Sequence, residues 1–70
     1  MKYLIIVETT ETGYSAYSPD LPGCIATGAT REETEENMRQ AVDFHLEGLR
    51  LEGLSCPPAK SYSAIVEIPA

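Results

Sequence analysis

At 70 residues the chain holds one small domain and leaves no room for a second. Eleven carboxylates against five Lys and Arg give a net charge of −6, which repels phosphate backbones and disfavours direct nucleic-acid binding. The same charge favours a basic partner and speeds encounter with it, besides keeping a small domain soluble. The two cysteines form no CxxC, and a single histidine does not complete a zinc set. A disulfide between Cys24 and Cys56 is open to the chain, but the reading is a cytosolic protein with two reduced thiols. The first apolar run, Leu4 to Val7, is too short for a signal-peptide core or a membrane span. A core this small is marginal alone, so self-association is the remaining source of stability.

Residues 2–9 are rich in β-branched and aromatic types and predict a strand. Tyr3, Ile5 and Val7 point one way, and Leu4, Ile6 and Glu8 the other. Thr10-Glu11-Thr12-Gly13 supplies a hairpin connection. Tyr14 to Ser18 reads as a second strand. In Pro19-Asp20-Leu21-Pro22-Gly23-Cys24, Pro22 and Gly23 fit the centre of a type II turn, where the second position needs a positive φ. Leu21 precedes a proline and is pushed towards an extended conformation. Residues 24–28 make a short third strand.

Thr30 with Glu33 forms a capping box, and Glu32, Glu33, Glu35 and Glu36 crowd the positive end of the helix dipole. A helix is predicted over 31–52, with Arg39 placed to pair with Glu35. Met38, Ala41, Val42, His45 and Leu49 form its core stripe. Gly53 caps its C-terminus, and Pro57-Pro58 forbids continuation. A fourth strand follows at Tyr62 to Ile68, where Tyr62, Ala64, Val66 and Ile68 alternate with Ser63, Ile65 and Glu67. The order β-β-β-α-β, with a right-handed crossover, predicts an α+β domain over 1–70. Its sheet order is 3-2-1-4, with the long helix on one face and an apolar face left bare.

The candidates for chemistry are weak. His45 lies mid-stripe without a nucleophile or second acid, and reads as a packed side chain. Asp20 is explained by turn chemistry. Glu8 and Glu67 fall on neighbouring strands in this topology, the arrangement that holds a metal ion in nucleases of the ribonuclease H type. Two carboxylates without further ligands make a poor metal site. Cys24 has no identifiable base beside it. No catalytic residue, cofactor site or metal site is assigned. Phe44 and Leu51 stand apart from the core stripe at i, i+7, with Gly48 between them. Phe44, Gly48 and Leu51 are therefore the candidate interface, read as a contact with a second copy in preference to the other candidate surface, the open sheet face.

Pro19-Asp20-Leu21-Pro22-Gly23-Cys24, Gly28-Ala29-Thr30, Glu32-Glu33, Ala41, His45-Leu46-Glu47-Gly48-Leu49 and Pro57-Pro58 together resemble the HicB family of antitoxins, over nearly the whole chain. The resemblance implies a partial ribonuclease-H-like fold without the nuclease's catalytic set. It implies an antitoxin that neutralises a small basic HicA-type, mRNA-cleaving toxin by stoichiometric occlusion. Many family members carry a C-terminal DNA-binding domain; ending at Ala70, this chain is expected to lack one and to bind no operator DNA. The expectation is a non-enzymatic cytoplasmic antitoxin, homodimeric or larger, with no membrane contact. The alternatives are an orphan oligomeric scaffold or ligand-binding protein of the same fold and, more distantly, an acid-based nuclease.

Overall fold

The computed structural model describes residues 1–70. They form β1 (Ile6–Thr9), β2 (Tyr14–Tyr17), β3 (Ile25–Gly28) and α1 (Arg31–Leu51). The strands make one antiparallel sheet in the order β1-β2-β3. Thr10 N–H donates to the Gly13 carbonyl at 2.8 Å and closes the first hairpin. Register sets Val7, Ala16 and Ala26 in one row and Ile6, Tyr17 and Ile25 in the next. Because side chains alternate across a strand, these rows lie on opposite faces. The first row packs under α1; in the second, Tyr17 and Ile25 stay exposed.

Two tight turns link β2 to β3. Leu21 N–H donates to the Ser18 carbonyl at 3.2 Å, and Cys24 N–H to the Leu21 carbonyl at 3.1 Å. The second turn centres on Pro22 and Gly23, whose φ is 81°. This is the predicted type II turn, and it drives Leu21 wholly into the core. Removing a leucine side chain from water contributes about 1.5–3 kcal/mol.

α1 starts where the capping pair places it. Glu33 N–H donates to Thr30 Oγ1 at 3.0 Å, while the Glu33 carboxylate accepts from Ala29 N–H at 2.9 Å. Its end is a Schellman motif, in which Gly53 at φ 73° lets Leu54 N–H reach the Leu49 carbonyl at 2.9 Å. The buried residues of α1 are Thr34, Met38 and Leu46. Thr34 and Leu46 extend the predicted stripe, in which Ala41, Val42, His45 and Leu49 are half-buried. Arg39 pairs with Glu36 at 2.6 Å, one residue nearer than the predicted Glu35. Its fork meets both Glu36 oxygens from three residues away.

The predicted fourth strand is not present as such. Residues 62–68 belong to no sheet, and the order ends at β1. The chain is held near the sheet only as far as Ser61, where Asp20 accepts from Lys60 N–H at 3.0 Å, Ser61 N–H at 2.9 Å and Ser61 Oγ at 3.0 Å. Beyond that point Tyr62, Ile65, Val66 and Ile68 are exposed. A strand pattern becomes a strand only where it finds an edge to pair with, and this segment leaves the sheet instead.

Candidate functional site

α1 carries more apolar surface than its own sheet covers. Met38, Val42 and Leu46 turn towards the sheet, so residues about half a turn away face solvent. Phe44 is 83% and Leu51 79% exposed. Gly48 lies between them, with nothing within 4 Å of the position a Cβ would take. A partner can therefore approach the helix backbone closely at that point. Beside Phe44, a groove of about 400 Å³ runs between α1 and the start of β3, lined by Ile25, Ala41, Phe44, Gly48 and Glu52. Ile25, 68% exposed, continues the apolar flank onto the sheet. The structure thus brings Phe44, Gly48 and Leu51 to one solvent-facing surface and adds Ile25, which the sequence reading did not single out. Ile25 lies in the outward row with Tyr17, so strand parity could have found it. Near the flank, Arg50 is engaged by Glu47 at 2.8 Å, which masks one of the few cations there.

His45 and Cys24 line the same groove, a proximity that their sequence positions do not announce. No hydrogen bond joins them, and burial pushes the Cys24 thiol up, away from the thiolate a nucleophile requires. Cys24 and Cys56 are free thiols. Glu36 is held down to about 2 by hydrogen bonds from Arg39 and then Gln40. Glu8 stands on β1 while Glu67 lies in the segment outside the sheet, so the two do not occupy neighbouring strands. No three His, Cys, Asp or Glu side chains converge as metal ligands.

Asp20 departs most from the sequence reading. Its carboxylate reaches across 41 positions to Ser61 instead of closing its own turn. Those hydrogen bonds, the Ser61 backbone first, lower it below the ordinary Asp value. Nearby, the Tyr3 hydroxyl donates to the Pro57 carbonyl. Partial burial, then Cys56 and Asp20, raise the Tyr3 hydroxyl above its ordinary value and keep that proton in place. Nothing local in the sequence signals either contact. No helix is long and apolar enough to cross a membrane.

Residues 3–70 match the family described as HicB-like antitoxin of bacterial toxin-antitoxin systems. Antitoxin HicB 2 of Photorhabdus laumondii is 35% identical over the full chain, which spans 51% of that protein. An uncharacterised 14.9 kDa protein of Haemophilus phage HP1 is 41% identical over 70% of the chain, and the match spans 37% of the phage protein. A UPF0150 protein of Thermoplasma acidophilum is 37% identical over 71% of the chain and 74% of its own length. The chain thus spans about half or less of two of these relatives and about three quarters of the third. Among solved structures, a chain of the "HicA3 and HicB3 toxin-antitoxin complex" superposes with a TM-score of 0.72 at 35% identity, over 84% of this chain and 70% of that one.

Proposed function

The chain belongs to the HicB-like antitoxin family, and from that premise we propose that it binds and neutralises a small basic HicA-type toxin by occluding the toxin's RNA site. The fold likeness to a chain solved as part of a toxin-antitoxin complex carries this reading. The net charge of −6 supports it, because an acidic surface steers a basic partner into contact. The action is stoichiometric, and the chain needs no catalytic group of its own. The Phe44, Gly48 and Leu51 flank serves as a contact between copies of the chain. A cytoplasmic site of action accords with a partner that cleaves mRNA.

Co-expression with the short basic product of an adjacent reading frame tests the proposal. The two proteins should co-purify, and RNA cleavage by the toxin should stop once the antitoxin reaches a fixed molar ratio. Failure to co-purify, or undiminished cleavage at saturating antitoxin, would leave an orphan oligomeric scaffold as the better reading.

A further inference from the structure

Residues 62–68 alternate as a strand does, Tyr62, Ala64, Val66 and Ile68 against Ser63, Ile65 and Glu67. No hydrogen bond extends past Ser61. Ile65 is 98% exposed and Tyr62 85%. A segment with unpaired N–H and C=O groups beside exposed apolar side chains is a template for strand pairing. Its point of departure is fixed, because Asp20 holds Lys60 and Ser61 and Tyr3 holds Pro57.

The body of the domain has the complementary gap. β1 is an edge strand. Between β1 and α1 lie two adjoining hollows, of about 520 and 640 Å³, whose apolar lining includes Tyr3, Ile5, Val7, Val42 and Leu46. These are the side chains that a fourth strand beside β1 would cover. Residues 62–68, when extended, span about 23 Å, and the stretch from Tyr3 to Thr9 has the same number of residues.

We infer that residues 62–68 of one copy form the fourth strand of a second copy, pairing along its β1 edge and covering the hollow between β1 and α1. Each chain offers one unpaired strand and one unpaired edge, so reciprocal exchange closes at two copies about a two-fold axis. The segment's course favours a second copy over the chain's own edge. It runs outward from Ser61, and the molecule extends 50 Å in its longest dimension. The radius of gyration is 13.9 Å, against about 11 Å for a compact chain of this length. Val42 and Leu46 face the hollow, whereas Phe44, Gly48 and Leu51 lie on the far side of α1, so the exchange leaves the helix flank uncovered.

Val66→Pro tests the exchange on the full chain. Proline removes an N–H from the middle of a paired strand, yet is harmless in a segment that pairs with nothing. Sedimentation should show a wild-type assembly whose dissociation constant weakens on the order of a hundredfold in the variant, with helix content unchanged. Amides of 62–68 should be protected from exchange in the wild type and unprotected in the variant. A monomeric wild type overturns the inference; protected amides in that monomer would assign the strand to the chain's own edge. An assembly insensitive to Val66→Pro overturns it too. Neither readout involves the toxin, so failure here is distinct from failure of the antitoxin reading.

Discussion

Gly28 and Gly23 are glycines for different reasons. A Cβ on Gly28 would lie 2.5 Å from Thr34 Oγ1 and 2.8 Å from the Thr34 backbone nitrogen. Thr34 is buried and its hydroxyl already donates to the Thr30 carbonyl at 2.7 Å, so neither atom can give way cheaply. At Gly23 a Cβ would meet nothing within 4 Å, and only the φ of 81° resists substitution. Gly23→Ala should therefore cost about 1 kcal/mol, the ordinary left-handed penalty. Gly28→Ala should cost about 3 kcal/mol, at the upper end for overpacking. Urea denaturation of the two variants checks the ranking, and equal midpoints would show that α1 can lift off β3 at its start. The need at Gly23 was legible from its neighbour Pro22. The need at Gly28 was not, because it arises from Thr34, six positions on and in the next element, meeting the strand in space.

Among the elements, α1 was the most legible, since its start and stop are set by short-range hydrogen bonds around Thr30, Glu33 and Gly53. Its stripe fixed which side faces the sheet, and left Phe44 and Leu51 on the solvent side, where the structure places them. Phe44→Glu and Leu51→Glu replace side chains that make almost no contact within the chain. Each should change folding stability by no more than about 0.5 kcal/mol. If the flank joins copies, each should shift sedimentation towards a smaller species, because a charge desolvates badly in an interface. Unchanged sedimentation for both variants would remove the flank as a self-contact. Strand limits were less legible than the helix: 2–9 shortened to Ile6–Thr9, because a strand ends where its partner ends, and β2 offers partners only from Tyr14 to Tyr17.

Across the whole molecule, one carboxylate ties the C-terminal segment to the sheet. Asp20 in the folded chain lies below its ordinary value of about 3.9, chiefly through the Ser61 backbone hydrogen bond. A depressed folded value means that the contact is at full strength above the unfolded value and is lost as pH falls through the folded one. Amide protection at Lys60 and Ser61 should therefore hold at pH 5 and fall away only at acidities below the ordinary Asp value, as pH passes the depressed folded one. Asp20→Ala, which removes the acceptor oxygens, should lose that protection already at pH 5, with α1 intact. Protection that persists in the variant would mean that Tyr3 and Pro57 suffice to hold the segment. Sequence by itself determined the hairpin, the type II turn, the capped helix, its buried and exposed sides, and the family, since each rests on neighbours in the chain or on the pattern of residues along it. Only the tertiary structure decided that Asp20 reaches Ser61, that Cys24 and His45 share a groove, and that residues 62–68 leave the sheet. Those outcomes depend on residues distant in sequence meeting in space, and alternation along a strand records which side chains share a face without recording whose edge receives them.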